Sequence, residues 1–179
     1  MEFLDQVWDG SAGEVHAGNW LCSVIGTEIH GSELTPLYQQ LFSVRAEKFV
    51  SENQEILSAI DQLRAHTHGR GIWAVDRCGD RRKLLEPLLE RRRERFVIRS
   101  TGQRMVRDRR HHRVTVHHLG ACCRLRYQAK IIKIENGQEK VNSLRYGADS
   151  FRLPGREEPL QLVVVAGFGQ EPLLLLTNL

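Results

Sequence analysis

Asp76 closes an apolar run, Ile72-Trp73-Ala74-Val75, and is followed at once by Arg77 and then by Asp80. The carboxyl end of a strand is where an α/β sheet usually displays its catalytic groups. A carboxylate there suits a hard cation such as Mg²⁺, which keeps several waters and takes one or two carboxylates plus phosphate oxygens. Arg77 carries the planar fork that grips a phosphate or a neighbouring carboxylate. Each residue also has a plainer role. Asp76 can cap the turn behind it, and Arg77 can form an ordinary ion pair. Asp80 can be the N-cap of the next helix, which is the reading its position favours.

Cations surround this group. Arg81, Arg82 and Lys83 come first, then Arg91, Arg92 and Arg93, then Arg99 and Arg104. The formal charge of +4 is unevenly spread: residues 1–68 hold 3 Lys/Arg against 10 Asp/Glu, and residues 69–179 hold 23 against 12. The first part is therefore −7 and the second +11. A basic half points to a polyanionic partner, nucleic acid foremost, because cations on phosphates release counterions. The alternative is a solvated basic face. Segment 81–113 would hold DNA backbone without reading sequence. A second cluster gathers His111, His112, His117, His118, Cys122 and Cys123. Zinc takes such ligands, but adjacent pairs do not match finger spacings. On an alternating strand His111 and His112 face opposite ways. A polar hairpin facing DNA or solvent is the expectation there.

The elements that position these residues read as follows. Asn19–Ile29 is a strand, "HGSE" a turn, and Leu34–Ser43 its antiparallel partner, with Pro36 suited to an edge. Ser51 and Gln54 form a capping box ahead of a helix whose stripe is Ile56, Leu57, Ile60 and Leu63. Gly69 and Gly71 end it and launch strand 72–76, which reads as buried. Leu84, Leu85, Leu88 and Leu89 share a helical face. Pro87 favours a turn and then a helix starting near Glu86, with the proline at its first position. Residues 95–100 return as a strand. From about 104 the period becomes 2, and "RVTVHHL", "CCRLRYQAKIIKIE", "EKVNSLRY", "LQLVVVAGF" and "PLLLLTNL" read as strands. The order β-β-α-β-α-β followed by strands predicts an α/β core with a mostly β appendage.

"RGIWAVDRCGDRRKLLEPLLERRRERFVIRSTGQR" resembles the second catalytic segment of bacterial insertion-sequence DDE transposases, of the IS-four-like group with a Tyr-Arg-Glu-Lys signature. "VWDGS", "GNWLCSVIGTEIHGSELTPLYQQLFS", "FVSENQEILSAI" and "PLLLLTNL" extend the resemblance over nearly the whole chain. It implies a ribonuclease-H-like mixed sheet flanked by helices, with a mostly β subdomain inserted. The expected division is a partial catalytic core over 1–103, the insertion over 104–171 and a returning core strand over 172–179. Asp76 matches the second metal-binding acid, and Arg77 and Asp80 match the rest of the "DRxxD" motif. The implied cofactor is Mg²⁺ or Mn²⁺, held by three acids in pairs of ions that serve strand nicking and strand transfer. The implied partners are DNA, as transposon ends and target, and further copies of the protein in a synaptic complex. Cys78 stands where a glycine or other small residue is expected.

The first acid of the family sits upstream of the segment matching "VWDGS", and the third on a helix beyond "LLTNL". Both are expected to lie outside this sequence, so the chain is expected to be an incomplete, inactive fragment. Asp5 and Asp9 qualify as a first ligand by residue type alone. Loss of the central first strand would leave open sheet edges and marginal stability, unless "MEFLDQVW" or a partner fills the gap. A DNA-binding remnant, or a regulator of an intact transposase, is the non-catalytic alternative.

Other classes lack support. No Glu is followed two residues later by Lys, as restriction-type nucleases require, and there is neither a GxSxG elbow nor a Walker loop. The longest apolar stretches are too short to span a bilayer, which takes roughly 20 residues. An acidic start shows no signal peptide, and Cys22, Cys78, Cys122 and Cys123 read as reduced thiols. A cytoplasmic, DNA-associated protein is expected.

Overall fold

Asp5–Asp9 (β1) and Glu14–Gly18 (β2) form an antiparallel hairpin that opens the chain. The computed structural model describes residues 4–9, 13–31, 33–90, 94–135 and 138–179, with the side chains of Asp9 and of 133–135 left aside. Two compact units divide the chain, one ending at Arg70 and one running from Gly71 to Leu179.

In the first unit, Trp20–Gly26 (β3) pairs antiparallel with Thr35–Phe42 (β4), and Ile25 faces Pro36 beyond an irregularity in the ladder. A two-stranded sheet has only edges, so Pro36 is tolerated. Glu52–Thr67 (α1) follows, and Ser51 Oγ accepts the Gln54 N–H at 3.2 Å. The helix buries Leu57, Ala59, Ile60 and Leu63 and packs on β3 and β4. It ends where His68 turns left-handed at φ 53° and its N–H bonds the Arg64 carbonyl. The β1–β2 hairpin is absent from the order expected from sequence. "DQVWD" lacks a clean apolar alternation and "EVHAG" is short and weakly apolar, and β1 is secured by a polar anchor instead. Asp5, 2% exposed, accepts from Ser43 Oγ at 3.0 Å and from the Val44 N–H at 2.9 Å. The described part of "MEFLDQVW" therefore pairs with β2 and fills no gap in another sheet.

The second unit is a large mixed sheet. Its strands are Ile72–Val75 (β5), Arg95–Arg99 (β6), Met105–Arg107 (β7), Arg113–Thr115 (β8), Tyr127–Glu135 (β9), Gln138–Arg152 (β10), Pro159–Ala166 (β11) and Leu173–Thr177 (β12). The order is β5-β6-β12-β11-β10-β7-β8, with β9 paired to β10 off this path. Only β5 and β6 run parallel; the other pairs are antiparallel. The strands after 104 thus continue the sheet that holds β5 and β6. The α/β class is as expected, with three α-helices among the described residues.

Register explains the core. Leu162 faces Leu176, which faces Ile98, and Val164 faces Leu174, so one apolar row crosses three strands. These residues are 0–8% exposed, and burying each aliphatic side chain contributes roughly 1.5–3 kcal/mol. Val116–Cys122 (α3) covers this row, packing on β8, β11 and β12. Here "RVTVHHL" departs from the strand expected. Thr115 Oγ1 accepts the His118 N–H at 3.1 Å and starts the helix, while Val116 and Leu119 bury on one face. The apolar spacing 116, 119 serves a helix once a cap is present.

Two further expectations are corrected. Arg82–Glu90 (α2) is one helix with Pro87 inside it, and does not start near Glu86. The missing N–H and ring clash cost about 3 kcal/mol. Leu84, Leu85 and Leu88, each at most 1% exposed, offset that cost through burial. β5 is not a fully buried strand: Ile72 is 40% exposed and the strand alternates between exposed and half-buried. It ends the sheet order with β6 as its neighbour, so one edge carries no ladder among the described residues.

Candidate functional site

β5 delivers Asp76 at its carboxyl end, and Arg77–Gly79 turn tightly behind it as a single 3₁₀ turn. The Asp76 carboxylate accepts the Cys78 N–H at 2.9 Å, so it does cap the turn. Gly79 is buried because a Cβ there would lie 2.6 Å from Val75 Cγ1 and 2.9 Å from Val75 Cβ. Only glycine lets the turn fold back on the strand that carries Asp76.

Asp76 is exposed, and its pKa is held below the ordinary carboxylate value. Hydrogen bonding from the Cys78 side chain is the largest cause, followed by the Cys78 backbone N–H, with smaller help from the charges of Arg99 and Arg81. Arg77 is exposed on the turn, and Arg99 lies at the end of β6 beside the tip of β5. The strand end thus presents one ionised carboxylate in a cationic field.

Asp80 does something else. Its side chain is 1% exposed and pairs with Arg104 Nε at 2.7 Å. It also accepts from Ser100 Oγ at 2.7 Å, the Thr101 N–H at 2.9 Å and Thr101 Oγ1 at 3.2 Å. Asp80 is not the N-cap of α2; the Arg81 carbonyl accepts the first helical bonds, from Leu84 and Leu85. Asp80 instead clasps the turn after β6. The clasp also commits Arg104, 17% exposed, which sequence placed among the DNA-facing cations. Arg82 pairs with Glu86 at 2.7 Å. Lys83 is exposed, Arg81 acts on Asp76 through its charge, and Arg91, Arg92 and Arg93 lie outside the described residues.

Beside the clasp lies an open cleft of about 470 Å³ whose lining includes Arg82, Arg104 and Arg156. Arg156 reaches Glu90 at 3.0 Å, so each of these cations already has a carboxylate partner. The cleft is a poor site for an anion.

The histidine–cysteine cluster is dispersed. His111, at φ 63°, and His112 sit in the turn of the β7–β8 hairpin, held by Asp108, which accepts the N–H groups of Arg110 and His112 at 2.8 Å. His117, His118 and Cys122 ride on α3. Among the described residues no three His, Cys, Asp or Glu side chains gather as a metal site. The same holds at Asp76. One exposed carboxylate, with Asp80 committed to Arg104, does not by itself make a Mg²⁺ or Mn²⁺ site. No step through a metal follows from these residues.

Asp5, a candidate ligand by residue type, is instead engaged with Ser43 and Val44. Sequence reasoning missed Glu94, 2% exposed, which accepts the Trp73 indole N–H at 2.7 Å and joins β5 to the start of β6. Nearby, Asn178 bridges the Phe96 N–H and the Glu94 carbonyl, and Thr177 Oγ1 donates to the Phe96 carbonyl at 2.6 Å. The one sequence signal for Glu94 is its place directly before the apolar run Phe96-Val97-Ile98. No helix among the described residues is long and apolar enough to cross a membrane. Comparison with protein-family models and with curated proteins returns no match.

Proposed function

We propose that this chain is a DNA-binding segment of the DDE transposase class, with a ribonuclease-H-like core around β5 and β6. Asp76 is its contribution to the acids of strand nicking and strand transfer. The observation that carries this reading is the placement of Asp76: an exposed carboxylate at the carboxyl end of a parallel strand, kept ionised and facing Arg81 and Arg99. The resemblance of "DRCGD" and "RFVIR" to the family's second catalytic segment supports the same assignment. A second reading, DNA binding without catalysis, draws its support from the commitment of Asp80 to Arg104 and from the +11 charge of residues 69–179.

A plasmid-nicking assay run beside a binding assay tests both. Transposase chemistry needs Mg²⁺ or Mn²⁺ and disappears in Asp76→Ala. Binding persists without metal, weakens steeply with salt and survives Asp76→Ala. Metal-dependent nicking lost in Asp76→Ala selects the catalytic reading. Binding alone selects the second. A chain that binds no DNA at low salt refutes both.

A further inference from the structure

The β9–β10 ribbon carries two cations, Lys130 and Arg145, that are not taken up by carboxylates among the described residues. β9 pairs with β10 from Gln138↔Glu135 to Tyr146↔Tyr127, and β11 takes up the other edge of β10 only from Arg145 onward. Gln138–Leu144 and the facing part of β9 therefore form a two-stranded arm, about 24 Å long at ~3.4 Å per residue. Between Arg124 and Tyr146 the sequence holds six Lys/Arg against two Asp/Glu.

Register sorts the ribbon into two faces, from the Arg145–Gln128 pair where β11 joins the sheet out along the arm. Ser143 lies opposite Lys130, Arg145 opposite Gln128, and Val141 opposite Ile132, so these six share one face. Gln128, Lys130, Ser143 and Arg145, together with Ala129 and Leu144, line an open groove of about 420 Å³ with no carboxylate in its lining. Neither Lys130 nor Arg145 enters an ion pair among the described residues. This contrasts with the cleft beside Asp80, whose arginines are all paired. Farther out on the same face, Ile132 is 63% exposed and Val141 56%, an apolar pair that would otherwise stand in water.

We propose that this face of the ribbon docks in the major groove of duplex DNA. A two-stranded ribbon fits that groove, which is about 12 Å wide. Lys130 and Arg145 meet phosphates, Gln128 and Ser143 add neutral donors, and Ile132 and Val141 meet apolar base edges such as thymine methyls. Charge complementarity selects the occupant, and the proposal rests on the DNA reading above. It adds a binding surface on the strands after β8, separate from Asp76.

The test is fluorescence anisotropy of the full chain with a labelled duplex of mixed sequence, repeated over a salt series. Lys130→Ala with Arg145→Ala is expected to lower affinity roughly 10- to 30-fold near 0.15 M salt. It should also flatten the slope of log K against log salt by about 2. Far-UV circular dichroism checks that the variant keeps its fold. Acetylation of the wild-type chain gives a readout that needs no variant: duplex DNA should protect Lys130. An unchanged slope with an unprotected Lys130 overturns the ribbon assignment while leaving DNA binding in place. A wild-type chain that binds no duplex overturns both. Preference for heparin, or for vesicles containing phosphatidylserine, over duplex also overturns it, because either would make the arm a binder of another polyanion.

Discussion

Removing the Asp80 carboxylate tests whether this acid is a clasp or a reacting group. Asp80→Ala deletes one charge-assisted contact to Arg104 and three hydrogen bonds to Ser100 and Thr101, all at a side chain only 1% exposed. Breaking a buried pair at one partner costs about 3–5 kcal/mol, because the other charge stays behind without its counterion. The Arg104 side chain is 17% exposed and relieves little of that cost by hydration. The second unit is near the size where 1 kcal/mol shifts Tm by about 4 °C, so a drop of roughly 12–20 °C is expected. Asp80→Asn keeps an acceptor for Ser100 and Thr101 but loses the ionic contact, and should cost about 2–3 kcal/mol. The assay is urea unfolding followed by Trp73 fluorescence, with Trp8 and Trp20 replaced by Phe so that only the second unit reports. Adding Arg104→Met completes a double-mutant cycle, with an expected coupling of about 1.5–3 kcal/mol. Single losses under 1 kcal/mol that add without coupling would refute the clasp and return Asp80 to the list of reacting acids.

Three further outcomes are expected. Ser51→Ala removes the acceptor for the Gln54 N–H and should destabilise the first unit by about 1 kcal/mol, read from unfolding followed by Trp20 fluorescence. Gly79→Ala forces a methyl against Val75 and should cost about 1–3 kcal/mol while shifting the amide resonances of Asp76 and Cys78. Asp76 has a lowered folded-state pKa, so its stabilising effect is complete above the unfolded value of about 3.9 and fades as pH falls through the folded one. The stability curves of wild type and Asp76→Asn should therefore run parallel from about pH 5 to 8 and converge only in acid; divergence near neutrality would contradict the cause assigned to the shift.

Local signals carried much of the fold. Ser51, Gln54 and an apolar stripe specify α1 within one stretch of chain. The apolar runs at 72–75, 160–165 and 173–176 specify strands because each adjoins clear turn residues, and 96–98 because charged residues bracket it. Failures came where local patterns are ambiguous or partners are remote. Arg113-Val114-Thr115-Val116 alternates like a strand, yet Thr115 also serves as a cap, and the choice is made by the surface of β11 and β12 that α3 covers. Pro87 argues locally for a break, and burial of leucines around it overrides that preference. Asp80 has partners 20 to 24 residues away, so its neighbours in sequence point to a cap and its neighbours in space make it a clasp. The strand-end placement of Asp76 was legible, because an acid after an apolar run needs no remote information. Lys130 and Arg145 were hidden among many cations, and only pairing in space separates them from those already neutralised, such as Arg104 and Arg156.

The place of β12 in the sheet order bears on how the protein is made. β12 lies between β6 and β11, so β5 and β6 gain their link to the remaining strands through residues that follow β6 by about 70 positions. Ribosomes add roughly 5–20 residues per second, which leaves β6 waiting about 4–15 s for its partner. During that interval Phe96 and Ile98 are exposed on a strand with an open edge, a state that invites pairing with other chains. Contacts of this sequence separation also slow folding after release. The nascent chain thus has a window in which a chaperone that shields apolar strands would decide its yield, and the Thr177 and Asn178 bonds to the start of β6 close that window.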